Sequence, residues 1–228
     1  MTNEGLNLLL SAEGMLDQIK CDEDLLRANI HVIISLLLQD SGLSKLPECN
    51  RRIRQALDTR KSYRHRTPPE QYSRNDEILL YNAFSDHGCV LLQYNKFREA
   101  ELIFADCFEK YKNWGPPEEI PYEYSKYYHH KAFCLMYQSK FAEAIDLAEK
   151  GLHWVTVATG RSAAHNRWKF DLACIVLQSG DLKRALKLHQ EILDSRIEQH
   201  GSSSFPALQS WYAVGAAQFY FGEFDQAE

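Results

Sequence analysis

Four phrases of similar composition recur along the chain: YNKFREAE at 94–101, QSKFAEAI at 138–145, QSGDLKRAL at 178–186 and FGEFDQAE at 221–228. Aligned on their small residues, Ala100, Ala144, Ala185 and Ala227, they stand 44, 41 and 42 residues apart. A fixed period of this size restricts the chain to a repeat architecture, in which each copy packs mainly on its neighbours.

The positions around each alanine describe the unit. Three residues before it stands a bulky apolar group: Phe97, Phe141, Leu182 and Phe224. Five before it stands a turn-tolerant residue: Asn95, Ser139, Gly180 and Gly222. Twelve before it the residue is small (Gly88, Ala132, Ala173, Gly215), and sixteen before it come Phe84, Tyr128, Lys169 and Trp211. Small residues let two helix backbones approach, and bulky ones a turn away fill the space beside the contact. A residue that accepts a tight turn joins the two helices. Each unit therefore reads as helix, turn, antiparallel helix. One such hairpin cannot bury its apolar face alone, so neighbours must stack.

A weaker copy lies upstream, where LDTR at 57–60 echoes LDSR at 193–196. It puts Cys49 at the small position and pairs a helix over Asp24–Gln39 with one over Pro47–Tyr63. The segment Asn3–Lys20 reads as a further helix, with Leu6, Leu9, Leu10, Leu16 and Ile19 on one face. Pro and Gly punctuate most of the connectors between hairpins. The expected organisation is an N-terminal helix or cap over 1–21, a degenerate hairpin over 22–66, and an array of about four hairpins over 75–228. The last copy stops one residue after Ala227, so its second helix is expected to be cut short, leaving Trp211–Phe221 exposed or covered by another chain.

Composition is that of a folded, soluble chain. Six cysteines are scattered without a CxxC pair, and the N-terminus MTNEG has no secretory character. Reduced thiols in a cytoplasmic or nuclear setting are expected. The longest apolar run, Val32–Leu38, is far short of a membrane span. Net charge is −5, which argues against a general nucleic-acid binder, yet Arg51–Arg74 alone carries +6. That stretch keeps open a nucleic-acid-binding helical repeat as an alternative, with a solvated helix end as the simpler reading.

The pattern carried by Trp211, Gly215, Gly222, Phe224 and Ala227, and by Phe84, Gly88, Phe97, Ala100 and Phe104, resembles the tetratricopeptide repeat (TPR) family. The commonest unit there is about 34 residues. The period near 42 resembles the long repeats of kinesin light chains and the C-terminal arrays of fungal and bacterial NACHT or NB-ARC signalling ATPases. The resemblance implies an all-α, right-handed superhelical solenoid of antiparallel hairpins that binds proteins or peptides, here as the recognition or regulatory part of a larger signalling protein. Lys169 and His189 depart from the pattern, the latter standing where Phe104 does, so the third hairpin is expected to pack less tightly.

Motifs for chemistry are missing: GxxxxGK[ST], GxGxxG and HExxH do not occur, and the adjacent His129 and His130 diverge on a helix. The expectation is no enzyme, no cofactor and no metal. In stacked hairpins the first helices line a concave surface. Residues fifteen, eleven and eight before each small position should face it: Ser85, Cys89 and Leu92; His129, Phe133 and Met136; Phe170, Cys174 and Leu177; Tyr212, Ala216 and Phe219. Asn82, Lys126, Arg167 and Gln209 should edge it. Repeat domains that clamp a C-terminal carboxylate use Asn where this chain has Cys89, Phe133, Cys174 and Ala216, so that role is not expected. The surface suits a protein or peptide with an apolar or aromatic anchor and a nearby acid. A receptor enclosing a small ligand or peptide pheromone is a second alternative, and cover of Phe133, Met136 and Phe170 by a neighbouring helix is a third outcome.

Overall fold

The computed structural model describes residues 2–19, 23–39 and 43–222, and ten α-helices account for most of them. They are α1 (Thr2–Ile19), α2 (Asp24–Gln39), α3 (Leu46–Arg66), α4 (Arg74–Gln93), α5 (Phe97–Trp114), α6 (Pro121–Tyr137), α7 (Phe141–Thr159), α8 (Ala163–Gln178), α9 (Leu182–His200) and α10 (Phe205–Phe221). A 3₁₀ turn, Leu43–Lys45, leads into α3. The chain divides into two compact units, 1–107 and 108–228, with the division inside α5.

Local chemistry sets the helix ends. Ser73 and Asp76 form a capping box at the start of α4: the Asp76 backbone N–H donates to Ser73 Oγ at 3.1 Å, and the Ser73 N–H donates to Asp76 Oδ2 at 3.0 Å. Ser162, Asp181 and Ser204 cap α8, α9 and α10 in the simpler one-bond form. Pro47, Pro121 and Pro206 stand in first turns, where no backbone donor is needed. The four turn residues marked by the repeat all adopt left-handed backbone: Asn95 at φ 58°, Ser139 at 59°, Gly180 at 90° and Gly222 at 87°. They reverse the chain within a few residues, which makes each hairpin tight.

In the first unit, α1 lies on α2, α2 pairs with α3, and α3 packs on α4. The core gathers Ile30, Ile34, Leu38, Cys49, Ile53, Leu57, Leu80 and Val90, with Leu6, Leu9 and Leu16 of α1 laid against it. At the small position Cys49 is fully buried, and its Sγ and the Ser35 hydroxyl lie 3.1 Å apart across the α2–α3 contact. The ring of Phe104 seats over Gly88, joining the first half of α5 to α4.

In the second unit, successive helices from α6 to α10 pack in chain order. The core gathers Ala132, Leu135, Ala144, Ala148, Leu172, Ile175, Val176 and Ala185, the small positions Ala132, Ala144 and Ala185 among them. Gly151 of α7 presses on the α6 backbone: a Cβ there would stand 3.1 Å from His129 N and 3.3 Å from Ser125 O. The third hairpin accommodates its two departures differently. Lys169 Nζ donates to Glu191 Oε2 at 2.6 Å, spanning α8 and α9, whereas His189 is buried edge-on against Phe170. Residues 223–228, which carry Phe224 and Ala227 of the last copy, lie outside the described residues.

Candidate functional site

The first helices of the hairpins carry the residues that the spacing marks for a concave face, and the two units present them separately. In the first unit α4 holds Asn82, Ser85 and Cys89. Ser85 is buried, while Asn82 and Cys89 are half-buried. In the second unit Lys126, His129 and Met136 of α6 are buried, Phe133 is half-buried, and on α8 Arg167 is exposed while Phe170 and Cys174 are half-buried. Tyr212 and Phe219 of α10 are exposed. The marked side is thus partly core on α4 and α6 and exposed at Tyr212 and Phe219 of α10: the edge expected at Lys126 is a buried lysine, whereas Arg167 reaches solvent. The difference is one of depth. Periodicity gives the direction of a side chain, and the next helix pair decides how much of it is covered.

His129 organises this face. Its ring stacks on Trp168 with centroids 4.4 Å apart and meets Phe133 edge-on at 5.1 Å. Its Nε2 stands 3.3 Å from Asp171 Oδ2 on α8. Trp168 is fixed in turn by its Nε1–H, which donates to Ser125 O at 3.4 Å. The result is a rigid floor that joins α6 to α8, with Phe133 at its edge. Burial, reinforced by the electrostatic influence of His129, Lys126 and Arg167, holds His130 well below the usual histidine range, so it is neutral.

Phe170 belongs to a second cluster that links α8, α9 and α10. The Arg196 guanidinium lies 4.8 Å above its ring. From there Arg196 Nη1 donates to Ser210 Oγ at 2.9 Å, and to Gln209 Oε1 and Pro206 O at 3.1 Å each. Sequence reasoning missed Arg196: it sits on a second helix and reaches the first helices of two hairpins. Burial pushes the Cys174 thiol up to about 12, helped by Asp171 and opposed by Arg196. A thiol so placed stays protonated at neutral pH, which leaves no thiolate nucleophile there.

The basic stretch of the first unit is largely committed to structure. Arg51 Nε donates to Glu48 Oε2 at 2.7 Å, and Arg52 Nε donates to Glu48 Oε1 at 2.8 Å while its Nη1 engages Glu13. Arg64 lies 3.3 Å from Glu77, and Arg66 pairs with Asp24. Arg60 is buried and donates to Asn29, and Lys61 lies over the Phe84 ring at 5.0 Å. Acids outside the stretch therefore neutralise four of its cations. Glu48 shows the strength of this pairing: hydrogen bonding from Arg51, then Arg52, outweighs burial and pulls its carboxyl down to about 2.

Among the described residues no three His, Cys, Asp or Glu side chains converge as metal ligands, and no helix is long and apolar enough to cross a membrane.

The fold is that of the TPR-like all-α helical-repeat solenoids. BtubC (BKLC) from P. vanneervenii is similar over 100% of this chain and 87% of its own, with a TM-score of 0.62 and 16% identity. Two structures of a kinesin-light-chain-type protein from Podosopora anserina, with nearly identical TPR-like repeats, are also similar. They match over 88% and 91% of this chain and 89% and 92% of theirs, with TM-scores of 0.58 and 0.57 at 13% and 12% identity. At such identities the likeness carries the fold alone. No family model and no curated protein matches the chain.

Proposed function

We propose that this chain is a non-catalytic scaffold that binds a protein or peptide on the face built by α6 and α8, as the recognition part of a larger signalling protein. One observation carries the reading: Phe133 stands half-buried on a floor of His129, Trp168 and Asp171, with exposed Arg167 on the adjoining helix. A rigid aromatic surface of this kind receives an apolar or aromatic side chain at little entropic cost. Arg167, level with Lys126 in the repeat and so about two helical turns from Phe133, favours an acid at that distance from the anchor. The TPR-like fold supports the reading, because stacked hairpins present such faces to extended or helical segments.

The test is selection of peptides from a random display library against the folded chain. Enriched sequences should carry a bulky apolar or aromatic residue near an Asp or Glu. Phe133→Ser should abolish their binding, and Arg167→Glu should remove the acidic preference while leaving the melting temperature unchanged. Enriched peptides with no shared anchor, or binding that survives both variants, would sink the reading.

A further inference from the structure

The basic stretch of the first unit contains a buried arginine that the surrounding acids do not serve. Arg60 of α3 is 3% exposed, deeper than any other cation between Arg51 and Arg74. Its Nη2 donates to Asn29 Oδ1 on α2, and its Nε–H has no hydrogen-bond partner. Among the described residues no carboxylate lies within ion-pair reach of it: Glu13, Asp24, Glu48 and Glu77 go to Arg51, Arg52, Arg64 and Arg66 instead. Tyr72 and Asp76 favour its charge only from further off, and burial outweighs them, lowering its pKa. Burial also pushes the Tyr72 phenol up to about 12, so it is neutral at physiological pH. Asp76 is engaged in the α4 cap, where it accepts from Ser73 N–H at 3.0 Å and from Ser73 Oγ at 2.7 Å.

The repeat supplies a counterpart. LDTR and LDSR make Arg60 equivalent to Arg196, whose Nη1 has three acceptors on the following helix: Ser210 Oγ, Gln209 Oε1 and Pro206 O. Ser210 stands five residues before Gly215, and five before the equivalent Gly88 is Ala83. Ala83 is buried and offers no side-chain oxygen, so α4 gives Arg60 nothing where α10 gives Arg196 a hydroxyl. A guanidinium does not shed its proton to escape burial. A buried charge of this kind is costly until an opposite charge meets it.

We propose that Arg60 and Asn29 form a carboxylate-binding site between α2 and α3, filled by an acidic side chain of a partner or by a small acid. The planar guanidinium presents its Nε–H and a neighbouring Nη–H as a fork, and a carboxylate can accept from both at once. Asn29 holds the other side of that fork in place. The charge count selects the ligand: one buried cation is matched by a monoanion, whereas a phosphate dianion would bring a second charge into the same buried place. Asn29 and Tyr72 are half-buried rather than buried, so the site opens toward solvent beside them. The +6 carried by Arg51–Arg74 draws acids to this part of the unit. The site needs none of Phe133, His129, Trp168 or Arg167, so it stands or falls independently of the peptide-binding reading.

Thermal melts of the whole chain at neutral pH, in sodium acetate against sodium chloride of equal ionic strength, test it. The melting temperature should rise with acetate and saturate in the millimolar range. Sodium phosphate should give a smaller rise. Arg60→Met keeps the length of the side chain without its charge, and it should fold yet lose the acetate response. If that variant fails to fold, the Arg60 Nε–H resonance of the unaltered chain decides: acetate should shift it and slow its exchange with water. An aspartate peptide blocked at both ends that binds more tightly than acetate identifies a partner's side chain as the source, and equal binding identifies a small acid. No saturating effect of acetate, an effect that survives Arg60→Met, an unmoved Nε–H or a larger response to phosphate would overturn the proposal.

Discussion

A Cβ on Gly88 would stand 2.4 Å from Cε1 of Phe104 and 2.7 Å from its Cζ. Phe104 is wholly buried, so its ring has no open space to move into. Alanine is intrinsically the better helix former by about 1 kcal/mol. Overpacking a close-packed contact costs about 1 to 3 kcal/mol and opposes that gain. Gly88→Ala is therefore expected to lower the denaturation midpoint. Gly5→Ala is the internal control, because a Cβ there meets nothing within 4 Å. It should raise the midpoint slightly, and shifts of the same sign in both variants would show that the Phe104 seat is not tight.

Ser139 and Gly180 occupy the same turn position in successive hairpins, both with positive φ, but only one of them is a glycine. The left-handed conformation costs a residue with a Cβ about 1 kcal/mol. Ser139→Gly keeps the backbone N–H donation to Met136 O, now 2.9 Å, and should raise stability by about 0.5 to 1 kcal/mol. Gly180→Ala should lower it by a similar amount. Paired thermal melts check this, and equal responses in the two variants would remove the turn as their cause.

These two sites also mark what a linear reading reaches. Turns, small contact residues and helix bounds follow from local chemistry repeated at a fixed period. Asn95, Ser139, Gly180 and Gly222 were all identifiable as turns, and Ala100, Ala144 and Ala185 as contacts. The TPR-like fold was legible for that reason. The candidate site was legible only as a direction. That Lys126 and His129 are buried depends on how far neighbouring helices extend over them. The His129–Asp171 pair joins residues 42 apart that share no motif. The charge of Arg51–Arg74 looked available because its partners Glu13, Asp24 and Glu77 are supplied by other helices.

His189 is the position where the repeat's preference and the residue conflict most. It is buried, and neither ring nitrogen has a hydrogen-bond partner among the described residues. Burial, and then the nearby Arg196 charge, lowers its pKa from 6.5 to about 4. Between those values the unfolded chain binds the extra proton, so stability must fall as pH drops from 6.5 through 4 and level off below. His130, held low in the same way, adds to the slope. His189→Phe should stabilise the chain by about 1 to 3 kcal/mol at neutral pH by removing two unsatisfied buried nitrogens. The gain should grow at pH 5. Urea titrations at pH 7.5 and pH 5 decide it: an unchanged pH dependence in the variant would mean that His189 does not carry the burden assigned to it.

Glu13 is the hinge of acid sensitivity in the first unit. On its own, burial would raise this carboxyl, but hydrogen bonds from Arg52 and His31, with the charge of both, hold it below its ordinary value. Its Oε1 lies 2.7 Å from His31 Nε2 and also engages the buried Arg52, fixing α1 to both helices of the next hairpin. A carboxylate with a lowered pKa contributes its full stability above about pH 5 and loses it as pH falls through the folded value. Glu48, whose carboxyl is at about 2, extends the same window downward. Protection of α1 amides, taken relative to the intrinsic exchange rate at each pH, should therefore persist at pH 6 and fall toward pH 3, ahead of α2 and α3, whose contacts are mostly apolar. Glu13→Gln should bring part of that loss to neutral pH by leaving the buried Arg52 with Glu48 alone of its two acidic partners, at a cost of about 1 to 2 kcal/mol for docking α1. Exchange in α1 that stays equally slow in the variant would show that its apolar contacts, Leu6, Leu9 and Leu16, hold it without the ion pair.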